Sequence, residues 1–173
     1  MSGEGVLNLA PFSFFTGVTS TPPTLLFCAG NKRGGVPKDT PSNIAETREF
    51  VVNIVPVDVT TPMVESSAPF DANVDEFKAA GVTPLASERI SVPRVAESPI
   101  AFECRLHGIQ EIQDADRITS RIIIGYIELI HIVDHVLDED GRVDISRLKP
   151  VSRLGGHLYA PVGTPFDVPR PKI

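Results

Sequence analysis

The sequence predicts a mainly β protein with short helices, folded as a closed or half-closed antiparallel barrel. Three observations carry this expectation. The 16 prolines and 13 glycines cluster at 21–23, 30–41, 91–99 and 161–171, where they interrupt helices and favour short strands joined by shaped loops. Between the clusters lie apolar, β-rich runs bounded by turn signals, the pattern of an antiparallel barrel. The run 117–137 places isoleucines on both pleat faces, and a strand apolar on both faces is buried on both.

Taken in order, residues 6–10 (VLNLA) read as a short strand and 12–18 as a second extended piece. TLLFC at 24–28, bounded by Pro22-Pro23 and Gly30, reads as a buried strand. After a glycine-rich loop at 30–40, Thr40 reads as an N-cap with Pro41 at the first helical position, opening a short helix that ends near Arg48. FVVNIV at 50–55 is β-rich and buried. Residues 57–80 read as mostly helical. Asp71 or Asn73 caps the part carrying Val74, Phe77 and Ala80, and Gly81 stops it. Residues 100–112 form a strand, 114–116 a turn, and 117–137 the long strand. One face of that strand fills a barrel. The other, assigned to Ile123, Ile127 and Leu129, needs a cover and predicts a homodimer. Residues 138–141 are a turn, Asp144 caps a short helix to Leu148, and the Pro-rich tail 162–173 lies over the surface.

A chain of 173 residues suits one domain. Sixteen basic against 22 acidic residues leave a net charge of −6, which repels phosphate backbones and argues against nucleic acid as a partner. An anionic ligand must then be held by a local basic spot. Cys28 and Cys104 are far apart in apolar contexts and read as free thiols of a reducing cytosol. MSGEGVLNLAP lacks a signal-peptide pattern, and no apolar run reaches the roughly 18 residues of a membrane span. The sequence therefore predicts a soluble, cytoplasmic protein with no membrane partner.

The most informative loop is Ala29-Gly30-Asn31-Lys32-Arg33-Gly34-Gly35-Val36-Pro37-Lys38-Asp39-Thr40. Its glycines expose amides, and Lys32, Arg33 and Lys38 concentrate positive charge on an acidic chain. It feeds a helix N-terminus, where the dipole and free N–H groups favour an anion such as one phosphate. The plainer reading is a solvated surface loop with an ordinary cap. It is not a Walker A loop, because Val36-Pro37 stand where Lys-Ser/Thr is required. His131 and His135 are four apart but lack HExxH and a third ligand, so no metal is expected. Asp138-Glu139-Asp140-Gly141 fails the spacing of a calcium loop. No serine nucleophile and no GxGxxG after a strand are found. Phe12, Phe14 and Phe15 read as core, in a position that also suits a flat aromatic cofactor.

The ordered motifs NLAPFSFF at 8–15, Ser20-Thr21-Pro22-Pro23, Lys38-Asp39-Thr40, Asn43-Ile44 and EFVVN at 49–53 are followed by DEF at 75–77 and AGVT at 80–83. Then come PRVAESP at 93–99, FEC at 102–104, GRVD at 141–144 and RLGGHLY at 153–159. In this order and spacing, from about residue 5 to 170, the chain resembles the flavin reductase-like family, whose members adopt the FMN-binding split β-barrel. The resemblance implies a homodimer that binds FMN non-covalently. It implies that Ser13, Phe14, Phe15 and Thr16 offer backbone and hydroxyl groups to the isoalloxazine. Ser20, Ala29, Lys38, Asp39 and Thr40 are implied around the ribityl phosphate, and Asn53 is implied to be structural.

The resemblance also implies hydride transfer from NAD(P)H to flavin, chemistry that belongs mostly to the cofactor. No side chain is assigned a catalytic role. The alternative is a non-catalytic flavin-binding protein or an electron carrier without nicotinamide turnover; a third is a barrel that no longer holds flavin. Relatives usually carry a strand, commonly with an Arg-Pro pair, ahead of the turn that matches Gly3-Glu4-Gly5. The single domain 1–173 is therefore expected to lack the family's first strand and to leave an open edge.

Overall fold

The computed structural model describes residues 1–32 and 34–171. Arg33, one of the loop cations, and the last two residues of the tail lie outside the described residues. In chain order the elements are β1 (Phe15–Ser20), β2 (Pro23–Gly30), α1 (Asp39–Thr47), β3 (Glu49–Asn53), α2 (Thr60–Glu65), α3 (Glu76–Ala80), β4 (Pro84–Leu85), β5 (Arg94–Val95), β6 (Ile100–Asp114), β7 (Arg117–Ile132), α4 (Ile145–Leu148), β8 (Val151–Gly155) and β9 (Leu158–Pro161).

Five of the strands form one antiparallel sheet in the order β1-β2-β7-β6-β3. Its centre is the long β6–β7 hairpin, which turns at Ala115 with φ 52°. The inner face is set by period-2 alternation: Leu25, Phe27 and Ala29 from β2, Ile123 from β7, Cys104 and Leu106 from β6, and Phe50 from β3 are buried together with Ile44 of α1. Phe27 anchors this core, tilted on Phe12 at 4.7 Å between ring centroids and edge-on to Phe50 at 5.7 Å. Gly125 sits where β7 must pass under the Phe50 ring. A smaller cluster joins Phe77, Ala80, Val82 and Val95, and packs against Leu7 and Leu9.

Four expectations are corrected. Residues 6–10 form no ladder; they run extended, held because the Glu76 amide donates to Leu7 O. Helix α1 starts two residues early, with Lys38 in the cap position and no side-chain cap, so Thr40 is not the N-cap and Pro41 is the third helical residue. Residues 57–80 hold only a single 3-10 turn at Val57–Val59 and the short helices α2 and α3. Asp75, rather than Asp71 or Asn73, caps α3 by accepting the Lys78 amide, and Gly81 ends it at φ 70°. The fourth concerns β7. Ile123 is fully buried and Ile127 packs against the same core, so the half-exposed outer face is carried by Ile122, Ile124 and Tyr126 beside Leu26 and Cys28. Asp144 caps α4 as expected, accepting from the Ser146 amide. The described part of the tail is exposed, and both cysteines are free.

The sheet has two open edges, β1 and β3. Between them, along Glu49, Val51 and Asn53 on one side and residues 8–13 on the other, lies a cavity of about 630 Å³. Arg48 and Ile54 bond to β6 at the two ends of β3. Antiparallel pairing alternates, so the backbone groups of Val51 and Asn53 point away from β6 towards this cavity.

Candidate cofactor site

The segment 8–16 reaches β1 along the rim of the cavity, and the first turn of α1 closes the same rim. Asn8, Phe12, Ser13, Phe15 and Thr40 all line it. In β1 the Cys28 amide donates to Phe14 O at 2.9 Å, and Thr16 lies opposite Leu26. The backbones of Phe14 and Thr16 are thus used by β2, while those of Phe15 and Gly17 turn to the open edge. The Phe14 ring is 76% exposed and the Phe15 ring 39%. An exposed aromatic residue next to unused amides and carbonyls is a surface that can receive a flat, hydrogen-bonding ring.

At the other end of the rim Lys38 is extended (φ −68°, ψ 159°) and its side chain makes no cap bond. The amides of Asp39 and Thr40 have no intrahelical acceptor, and Pro41 has no N–H to satisfy. The positive end of α1 is therefore open to an anion. The cations beside it are not equivalent. Lys32 is tied to both carboxylate oxygens of Asp39 at 2.8 and 3.0 Å. Lys38 makes no ion pair among the described residues and holds its ammonium 5.4 Å from the centre of the Phe12 ring. One uncommitted cation, two orphan amides and an aromatic shelf fit a phosphate joined to a planar ring.

Beneath the rim sits Glu76, which is buried. Its Oε2 accepts from Asn8 Nδ2 at 2.7 Å and from the Leu9 amide. Burial pushes this carboxyl up; the Leu9 and Asn8 donors pull against it, Asp39 adds to the rise, and Lys32 opposes it. The other amide atom of Asn8, Oδ1, accepts from the Thr40 hydroxyl at 2.8 Å.

The structure brings Ser13, Phe15 and Thr40 to one cavity and places Lys38 at its edge. It separates others. Thr16 is exposed and donates to Gly17 O, and Ser20 is exposed at the far end of β1. Ala29 is buried in the core opposite Arg121, so it offers no side chain to a ligand. The Asp39 carboxylate is occupied by Lys32. Asn53 is used structurally, its Oδ1 accepting the Val95 amide at 3.0 Å. Sequence reasoning missed Glu76, because a glutamate at a helix start reads as a surface charge.

His131 is tied to a carboxylate, and among the described residues no group of three or more His, Cys, Asp or Glu side chains is placed to hold a metal ion. Its Nε2 meets the fully buried Glu103 at 2.5 Å, and Glu103 also accepts the amides of Glu88 and Arg89 at 2.8 and 2.7 Å. Burial pushes the Glu103 carboxyl up, but these amides and His131 outweigh it and hold it below its usual range. The cluster clamps the 88–89 turn onto the sheet.

No described helix is long and apolar enough to cross a membrane. Comparison with known proteins gives a consistent result. The family model described as "Flavin reductase like domain" matches residues 2–147. A protein of Aquifex aeolicus (strain VF5), itself uncharacterized, is 38% identical over 159 residues, which is 92% of this chain and 79% of that one. Nitrilotriacetate monooxygenase component B from Bacillus cereus superposes with a TM-score of 0.91 at 37% identity, over 97% of this chain and 83% of that chain. A split-barrel structure from Shewanella frigidimarina NCIMB 400 superposes at 0.84 with 21% identity, over 98% and 82% of the two chains, a likeness of fold. The sheet described above is thus a split β-barrel, and on domain match and sequence identity together the chain belongs to the flavin reductase like family.

Proposed function

We propose that this protein binds FMN non-covalently and transfers hydride from NAD(P)H to flavin. The observation that carries the reading is Lys38: an uncommitted cation at an uncapped helix start, beside an aromatic segment, in a chain of this family. Bound flavin would supply the hydride-accepting ring; the protein's part is to hold and orient it. Lys38 and the amides of Asp39 and Thr40 hold the phosphate. The outward backbone groups of Phe15 and Gly17 hold the polar edge of the ring, with the exposed Phe14 ring as an apolar wall. No proton transfer is assigned to a side chain.

An absorbance spectrum of the purified protein with and without added FMN tests binding, and steady-state oxidation of NADH and NADPH tests turnover. FMN binding without nicotinamide oxidation would support the carrier alternative. No spectral change and no thermal stabilisation with excess FMN would overturn the reading altogether.

The same reading includes a homodimer joined through the outer face around Ile122, Ile124 and Tyr126, and a cytoplasmic location, which suits two unbridged cysteines. It treats 1–173 as one domain.

A further inference from the structure

We infer that the Thr40 hydroxyl serves the flavin as an acceptor for a ribityl O–H, and that Asn8 and Glu76 impose this polarity. The inference rests on the flavin reading above and assigns a role that the reading leaves open.

The argument is one of hydrogen-bond direction. A carboxylate only accepts, so the amide atom of Asn8 that faces Glu76 Oε2 at 2.7 Å must be the NH₂. Glu76 is buried, and the Leu9 amide donates to the same oxygen, so it cannot swing away to release Asn8. The remaining amide atom, Oδ1, is then the one facing Thr40, and it has no proton to give. The 2.8 Å contact between Thr40 Oγ1 and Asn8 Oδ1 therefore uses the single proton of the hydroxyl. What Thr40 presents to the cavity is lone pairs. Lone pairs repel a phosphate oxygen and attract an O–H. A flavin carrying a ribityl chain supplies such donors next to its phosphate, and Lys38 and the α1 amides remain for the phosphate itself.

The test compares three probes, FMN, riboflavin and lumiflavin (the same ring without a ribityl chain), by flavin fluorescence titration of wild type, Thr40→Val and Thr40→Ser. Thr40→Val is expected to weaken FMN and riboflavin by one common factor of about 2- to 12-fold, the range of a neutral hydrogen bond. Lumiflavin should be unaffected and Thr40→Ser should bind as wild type. Loss of FMN affinity with riboflavin unchanged would overturn the inference, since it would make Thr40 a phosphate donor. If Thr40→Val does not fold, riboflavin analogues lacking one ribityl hydroxyl each are titrated into wild type: one of them should lose the same factor, and equal binding by all overturns the inference. Wild type that binds neither FMN nor riboflavin would overturn the flavin reading as well. Flavin binding without the shared Thr40 effect overturns this inference alone.

Discussion

Lys38→Ala separates a phosphate grip from an ordinary surface loop. The substitution is clean because the Lys38 side chain makes no helix-cap bond and no ion pair among the described residues, so the fold loses little. A charge-assisted hydrogen bond to phosphate contributes roughly 1.5–3 kcal/mol. Without ligand the ammonium lies 5.4 Å from the Phe12 ring centre, a cation–π contact of roughly 0.5–1 kcal/mol that is given up when the lysine turns to the phosphate. The net loss is therefore about 1–2 kcal/mol, or about 5- to 30-fold in FMN affinity. Lys32 cannot substitute, because Asp39 holds it through two contacts. Riboflavin lacks the phosphate and should bind the variant as it binds wild type, and added salt should narrow the FMN preference of wild type. Titrating both flavins at two ionic strengths reads all of this. Equal affinity of wild type and variant for FMN would refute the phosphate assignment, and parallel loss of both flavins would mean a damaged rim.

Three further outcomes are expected. Gly125→Ala drives a Cβ inside contact distance of Phe50 Cζ and to 2.7 Å of Cε1, with Arg105 O at 3.3 Å behind it; overpacking should cost about 1–3 kcal/mol in denaturant melts, and Phe50→Leu in the same chain should recover part of it. Glu103 and Glu76 should respond to acid in opposite directions. The Glu103 carboxyl lies below its usual range, so its stabilisation is complete above the ordinary carboxylate pKa and is lost as pH falls through the lowered folded value; Glu103→Gln should flatten the acid limb of a stability–pH curve. The Glu76 carboxyl is raised, so its ionisation costs stability as pH rises through the folded value; Glu76→Gln should therefore compare better with wild type at pH 7 than at pH 4, and the reverse order would refute the assignment. Light scattering at low micromolar concentration should report twice 18.7 kDa, and Ile124→Lys on the outer face of β7 should lower it to one chain; a monomeric wild type would refute the interface.

Wherever period and punctuation act locally, the amino-acid sequence by itself determined the result. TLLFC between prolines and a glycine became the buried core of β2, the turn at 114–116 closed the β6–β7 hairpin, and Asp144 capped α4. The ordered motifs likewise identified the family before any coordinate was known. Which pleat face of β7 is inside was not legible, because a run of isoleucines carries no alternation; packing against Phe27 and Phe50 decided it in favour of Ile123. The start of α1 moved from Thr40 to Lys38 for a similar reason. A threonine before proline is a good local cap, but Asp39 and Thr40 are already helical here, and the Thr40 hydroxyl donates instead to Asn8, 32 residues earlier in the chain. The candidate site shows the same division. Its residue types were visible as a basic, glycine-rich loop and an aromatic run. Which lysine is free, and which way the Thr40 proton points, depend on Asp39 and on Glu76, a residue far along the chain that the fold buries beneath the rim. Hydrogen-bond direction and charge pairing are properties of neighbours in space, and only the tertiary structure supplies those neighbours.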